Sequence, residues 1–176
     1  MTGETHVGRV GESGLPIRVT ARIVLADERD RILLFQYRDD ESDKPGGVWW
    51  GTPGGGVDEG ESIPHAASRE LFEETGLRVP PERFDREVAH SEGRARFGGR
   101  DQWFEDHFYF LRADGFALDD SGWEDLERDA IAEYRWWTVA ELEQTADAIY
   151  PPKLAALLPD LFAGRFPDEP IDADPS

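Results

Sequence analysis

The 176-residue chain has no cysteine. That absence excludes disulfides, zinc–thiolate sites and thiol nucleophiles, and it accords with a cytoplasmic protein. No stretch approaches the ~20 consecutive apolar residues that cross a membrane as a helix. The opening residues, Met1-Thr2-Gly3-Glu4-Thr5-His6-Val7-Gly8-Arg9-Val10, lack an apolar signal segment, so no export and no membrane partner are expected. Positive charge is scarce: 19 Lys and Arg face 38 Asp and Glu, a formal net charge of −19. That balance argues against binding the backbone of nucleic acids. There is no internal repeat and no low-complexity block. Ser62, Ser68 and Ser91 stand in no nucleophile-elbow context, so triad chemistry finds no support.

What is present suffices for one domain. Hydrophobic residues make up 39% of the chain, with six Trp and ten Phe, and a chain of this size buries about 70% of its unfolded surface. The expected organisation is a flexible N-terminus over 1–15, a folded domain over 16–163 and an acidic, proline-rich tail over 164–176. In that tail Asp168, Glu169, Asp172 and Asp174 solvate a loose end.

Taken in order, Ile17 to Ala26 reads as a strand from its β-branched content. Asp27 to Asp30 is a turn, and Arg31 to Arg38 is the returning strand of a hairpin. An acidic loop, Asp39 to Gly47, leads to a short extended run from Val48 to Pro53. A glycine turn follows, then a helix with Ser62 as N-cap and Pro64 in its first turn. Gly76 suits the left-handed position that ends the helix. The stripe Ala67, Leu71, Phe72 and Thr75 is expected to be its buried side. Phe84 to Phe97 and Gln102 to Leu111 read as strands joined by a turn at Phe97-Gly98-Gly99-Arg100. Asp114 to Asp129 is an acidic loop around Trp123, and Ile131 to Val139 is a further strand. Thr138 and Glu141 form a capping box for a helix running to about Ala148, and Lys153 to Ala163 is the last helix. Strands on both sides of a central helix, with a helical C-terminal part, suggest a mixed sheet between helical layers.

One stretch breaks the rules of local design. On a helix, Glu73 and Glu74 lie at about −60° and +40° from Glu70, so three carboxylates share one face within a single turn. Like charges at these spacings each cost roughly 0.2–0.5 kcal/mol. Glu73 and Glu74 also occupy the last turn, where the macrodipole favours cations. Such a failure marks a candidate functional site, and a hard divalent cation with oxygen ligands fits it. The bland alternative is a solvated acidic face with Arg69 and Glu73 as an ordinary i,i+4 pair. A plain calcium-binding helix would lack the alternating-ligand loop that calcium sites use.

The surrounding residues run Gly55, five residues, Glu61, seven residues, Arg69-Glu70-Leu71, one residue, Glu73-Glu74, one residue, Gly76-Leu77. This resembles the Nudix box, the signature of the Nudix hydrolases, at nine fixed positions across 23 residues with no insertion. The resemblance implies the α/β Nudix fold, an α/β/α sandwich with a central mixed β-sheet, over residues 16–163. It implies hydrolysis of a phosphoanhydride in a nucleoside diphosphate linked to another group, with magnesium (Mg²⁺), or manganese (Mn²⁺), as cofactor. By position in the box, Glu73 and Glu74 are metal ligands, with the backbone carbonyl of Gly54 or Gly55 as a further ligand. Glu70 is either a ligand or the general base. Glu61 reaches the metal through water; its bland reading, compatible with that role, is a partner of the helix dipole. Arg69 orients a glutamate or forms a simple helix salt bridge.

Outside the box the candidates are weaker. Glu105, Glu127 and Glu133 are possible extra acids, each otherwise a surface glutamate. His65, His90 and His107 read as structural or exposed. Arg22, Arg38, Arg94, Arg96 and Arg100 are candidates to grip phosphate or ribose. Trp49, Trp50, Trp103, Phe104, Trp136 and Trp137 could include a stacking platform, although aromatics in strands more often fill cores. Subfamilies that prefer ADP-ribose carry a proline some 15 residues past the box, and those that cleave dinucleoside polyphosphates a tyrosine near there. Ser91-Glu92-Gly93-Arg94 has neither. The expected partner is a small-molecule nucleotide, with a homodimer left open. The competing class is a Nudix-fold binding or sensor domain without turnover. Such domains lose box glutamates, and here all are present.

Overall fold

The computed structural model describes residues 10–11, 14–119, 121 and 131–174. In chain order its elements are β1 (Ile17–Ala26), β2 (Ile32–Arg38), β3 (Val48–Gly51), β4 (Gly54–Gly56), α1 (Ile63–Thr75), β5 (Glu87–Phe97), β6 (Arg100–Arg112), β7 (Ile131–Trp137), α2 (Val139–Gln144), β8 (Ile149–Tyr150), α3 (Leu154–Phe162) and β9 (Ile171–Asp172).

The main run of the sheet is β8-β3-β2-β1-β6-β5-β9, with β4 added on β1 and β7 on β2. β1 lies parallel to β6 over its whole length, from Ile17 opposite Trp103 to Ala26 opposite Arg112. β1 and β2 meet only at Ala26 and Ile32, and beyond that point they diverge. The free flank of β1 is taken by β4, with Thr20, Ala21 and Arg22 opposite Gly56, Gly55 and Gly54. This split is what brings the glycine turn into the middle of the molecule.

β1 and β2 read as almost continuous apolar runs because both their faces are buried. Ala21, Ile23, Leu25, Leu33 and Phe35 face one side and pack with Ala66, Ala67 and Leu71 of α1. Val24, Ala26, Ile32 and Leu34 face the other and pack with Leu142 of α2 and Leu154, Leu157, Leu158 and Leu161 of α3. The mixed sheet therefore lies between helical layers, as expected.

Several local readings shift. Phe72 is 36% exposed rather than buried, and Arg78, just past the helix end, stacks its guanidinium 3.7 Å from the ring centroid, so the ring is covered by a cation instead of by the core. The buried side of α1 instead includes Ala66 and Glu74. Helix α2 stops at Gln144 rather than near Ala148, since Trp50 draws the next segment into the sheet. The Trp50 backbone N–H donates to the Ala148 carbonyl at 2.8 Å and its indole to Asp147 at 3.1 Å. The glycine turn contains β4, and the acidic loop expected around Trp123 lies largely outside the described residues.

The loose acidic end is also revised. Ile171–Asp172 pairs with Ala89 and His90 of β5, and Ala173 is fully buried in the core beside α3. Its N–H donates to the His90 carbonyl at 2.8 Å. An acidic, proline-rich composition hid two residues whose backbone completes a sheet edge. Truncation after Pro170 is therefore expected to cost about 1–2 kcal/mol, read as a fall of roughly 2–8 °C in Tm; a solvated tail would leave the transition unmoved.

Candidate active site

Helix α1 begins where the sequence places it. Ser62 is extended and its side chain accepts from the His65 N–H at 3.4 Å. The helix ends at Gly76, whose N–H donates to the Phe72 carbonyl at 2.8 Å. Between these caps, α1 packs along β1 and β4, so its acidic face lies against the glycine turn.

Arg69 holds this face together. Its Nε and Nη2 donate to the two carboxylate oxygens of Glu61 at 3.0 and 2.8 Å. Nη1 donates to Glu70 at 2.7 Å and to Glu73 at 3.2 Å, and Nη2 also reaches the Gly56 carbonyl at 2.9 Å. One planar guanidinium thus engages three of the four box glutamates and the turn backbone, a fork geometry that lysine cannot reproduce. The Arg69 hydrogen bond holds the Glu61 carboxyl below its ordinary range. Glu70 goes the other way. Burial raises it, and Glu73 adds to the rise against the pull of Arg69.

The fourth glutamate looks inward. Glu74 is 4% exposed and accepts the Gly54 N–H at 2.6 Å. Gly54 itself, at φ 129, leaves no room for a side chain, because a Cβ would run into the Ala21 carbonyl. Gly55 is constrained from the helix side, since a Cβ there would lie 2.6 Å from the Glu70 carboxylate. The glycines are the price of bringing a carboxylate onto a backbone turn.

On the sheet side a second arginine meets the same turn. Arg22 Nη1 donates to the Gly54 carbonyl at 2.9 Å and Nε to Thr20 at 3.2 Å, with Asp106 3.6 Å from Nε. Asp106, 2% exposed, accepts from the Thr20 hydroxyl, from Tyr150 at 2.7 Å and from Ser91 at 3.3 Å. A cleft opens beside this network. Its wall includes Arg18, Arg22, Tyr37, Lys44, Trp49, Gly54, Gly55, Arg94, Arg96, Phe97, Phe104 and Asp106. Burial and the neighbouring Arg22 together lower the pKa of Arg18.

Of the residues expected to serve the site, the structure gathers Arg69, Glu70, Glu73, Glu74, Glu61, Gly54 and Gly55 around one turn, and places Arg22, Arg94 and Arg96 on the cleft. Arg38 sits away from it, exposed and bonded to Gln36. Arg100 and Glu133 are exposed on β6 and β7, outside the cleft wall. Arg94 is paired with Asp101 at 2.8 Å. His107 bonds Glu87 and His65 bonds Ser62, both structural contacts. Glu127 lies outside the described residues.

Sequence reasoning missed Asp106, Arg18, Tyr37 and Tyr150. Asp106 was one residue away, because successive strand side chains alternate in direction: Phe104 and Asp106 share the cleft face, which Glu105 does not. The same parity was readable in β1, where Arg18, Thr20 and Arg22 put a polar row on one face of an otherwise apolar strand. Tyr150 had no signal at all, since it arrives on a two-residue strand.

Comparison with known proteins agrees with this geometry. The NUDIX domain profile matches residues 16–158. The chain belongs to the Nudix family. Two RNA pyrophosphohydrolases resemble this Nudix hydrolase along most of their length. That of Novosphingobium aromaticivorans is 31% identical over 154 residues, covering 79% of this chain and 86% of that protein. That of Sphingopyxis alaskensis is 32% identical over 150 residues, covering 80% and 88%. Among solved structures, a Nudix hydrolase from Nitrosomonas europaea superposes with a TM-score of 0.57 at 21% identity, covering 85% of this chain and 90% of that one.

The donor set fits a hard divalent cation. It consists of carboxylates and backbone carbonyls, with no thiolate in the chain and, among the described residues, no histidine hydrogen-bonded to a box glutamate. Among the described residues no three acidic or histidine side chains stand as a ready cage; Arg69 and the Gly54 N–H engage the carboxylates instead. The raised Glu70 carboxyl shows the strain of this arrangement. Its folded pKa exceeds the unfolded one, so ionised Glu70 costs stability at pH values above the folded pKa, and that cost vanishes below the unfolded pKa of about 4.3. Glu70→Gln is therefore expected to leave the Tm at neutral pH, in the presence of a chelator, unchanged or higher, with the difference closing as the pH falls to about 4. A large loss of Tm at neutral pH would show that the Arg69–Glu70 bond outweighs the burial.

Proposed function

We infer that this Nudix hydrolase splits a phosphoanhydride bond in a nucleoside diphosphate linked to another moiety, with Mg²⁺ or Mn²⁺ held by Glu73, Glu74 and the carbonyl of Gly55 or Gly54, and with Glu70 as a further ligand or as the general base. The observation that carries this reading is the shared glycine turn. Box carboxylates press on it from the helix, while Arg18 and Arg22 stand on the cleft that reaches its other side. Anion and cation sites thus meet across a few backbone atoms, as cleavage between charged phosphates requires.

A bound divalent cation supplies neutralisation of the non-bridging oxygens and activation of water. The side chains do the rest. Burial and the neighbouring Arg22 depress Arg18, so an anionic ligand relieves that cation, whereas Arg22, despite its burial, is already held charged by Asp106. Among the described residues the buried Tyr37 hydroxyl makes no hydrogen bond of normal geometry; Arg22, close beside it, donates instead to Thr20 and Gly54. That phenol is a spare donor for a phosphate oxygen. The raised Glu70 carboxyl favours the general-base role, taking a proton from attacking water onto its carboxylate oxygen. Arg69 positions Glu61, Glu70 and Glu73 and leaves substrate to others. Glu61, already paired, acts at one remove.

A second reading concerns the substrate. The two relatives named above are RNA pyrophosphohydrolases, which favours the 5′ end of an RNA. The net charge of −19 favours a small nucleotide, because an RNA chain must run over an acidic surface. Side-by-side turnover of nucleoside triphosphates, ADP-ribose, nucleotide sugars, dinucleoside polyphosphates and 5′-triphosphorylated RNA with Mg²⁺ decides between them. We expect the best kcat/KM on a small nucleotide and loss of all turnover in EDTA, restored by Mg²⁺. Preference for the RNA would reverse the assignment. Glu74→Gln is expected to lower kcat at least about a hundredfold while the fold persists, since an amide oxygen still accepts the Gly54 N–H; near-normal turnover would refute the ligand role.

A further inference from the structure

The far wall of the cleft is aromatic, and neither the metal site nor the phosphate cations account for it. Tyr37 and Trp49 stand directly opposite one another on β2 and β3, their rings stacked at 5.7 Å and 22°. Strand alternation sends the next residue, Trp50, into the core, where it is 3% exposed, and leaves Trp49 half-buried on the cleft. Phe97 approaches Trp49 edge-on at 6.4 Å and 77°, and it is 38% exposed although it could have been polar at no cost to the core.

Phe97 is held over the cleft. It ends β5 at the tip of the β5–β6 hairpin, and the acidic loop between β2 and β3 clasps that tip. Asp39 accepts the Gly98 N–H at 2.7 Å and Asp43 accepts the Arg96 N–H at 3.2 Å. Two carboxylates are therefore spent on the backbone either side of one exposed ring. Lys44, Arg94 and Arg96 border the same space. A flat apolar surface rimmed by cations and continuous with a phosphate-binding turn suits a planar ring carrying phosphate.

We propose that Trp49 and Phe97, which meet edge to face, together form one wall of the slot in which the base of the nucleotide substrate stacks, with the Asp39 and Asp43 contacts holding Phe97 in place. The assignment rests on the nucleotide hydrolase reading above. It names the residues that read the nucleoside, as distinct from those that handle phosphate.

The test separates base from phosphate. Binding of ADP, GDP, CDP and UDP, and of inorganic pyrophosphate, is measured by titration calorimetry with Mg²⁺ for the full chain and for Trp49→Ala, Trp49→Phe and Phe97→Ala. Stacking on an aromatic side chain is lost on alanine substitution by about five- to a hundredfold per base. We expect a loss of that size for the preferred nucleoside diphosphate in both alanine variants, unchanged pyrophosphate affinity, and substantial recovery in Trp49→Phe. Phe97→Ala, at an exposed tip, keeps the test valid if Trp49→Ala unfolds. Equal losses for nucleotide and pyrophosphate, or unchanged nucleotide affinity in Phe97→Ala, would overturn the slot while leaving the hydrolase reading intact. Wild-type protein that binds neither nucleotide nor pyrophosphate and turns over no nucleotide would overturn both.

Discussion

The contact set of Arg69 is the constraint on which the site depends. Without it, Glu61, Glu70 and Glu73 would converge on one turn of backbone with only weaker contributions, such as Arg22 near Glu70 and the Asp58 N–H on Glu61, to offset their repulsion. With it, three carboxylates and the Gly56 carbonyl share a single planar cation. The arrangement is still not relaxed. Glu61 is stabilised as an anion and Glu70 is penalised, so the arginine satisfies the outer acid and leaves the inner one in need of more positive charge. That residual need is what makes the helix face a candidate cation site rather than an ordinary salt-bridged surface.

The glycine turn is gripped from both sides, which gives the site its rigidity. Gly54 donates its N–H to Glu74 of α1 and offers its carbonyl to Arg22 of β1, and Arg22 is in turn steadied by Thr20 and Asp106. A continuous chain of polar contacts therefore runs from the box helix through the turn to β6 and on to Tyr150. The topology permits this because β1 parts from β2 after a single bridge and accepts β4 instead. A buried polar chain of this kind is worth its desolvation only when its members are satisfied. The Tyr37 hydroxyl beside it, which among the described residues makes no hydrogen bond of normal geometry, therefore stands out.

The box was legible from sequence because its chemistry is local. Caps, glycines and acids lie within 23 residues, and helical spacing alone puts Glu70, Glu73 and Glu74 on one face. Strands β1 and β2 were legible for a related reason: their β-branched and apolar residues lie together within one short stretch of chain. The rest of the site was not local. Asp106, Tyr37 and Tyr150 come from β6, β2 and β8, and only the register of the sheet brings them together. Glu105 was considered and Asp106 passed over because both look alike without knowing which way the strand alternates. The acidic composition of residues 164–176 likewise concealed Ala173, since a buried alanine and a strand of two residues carry almost no sequence signal.

The net charge of −19 looks hostile to a phosphate-bearing ligand, but its distribution matters more than its sum. Many of the acids are structural acceptors. Asp27 takes two backbone N–H groups and the Arg31 side chain in the β1–β2 turn, Glu141 closes the α2 capping box, and Asp39 and Asp43 clasp the hairpin tip. At physiological ionic strength charges more than about 8 Å away are largely screened. A small nucleotide in the cleft therefore responds to Arg18, Arg22, Lys44 and the rim arginines, and hardly to the rest of the surface. A longer polyanion has no such shelter. Each further phosphate it carries beyond the cleft would run over a surface that is net acidic, which is the physical ground for proposing a compact nucleotide over an extended RNA strand.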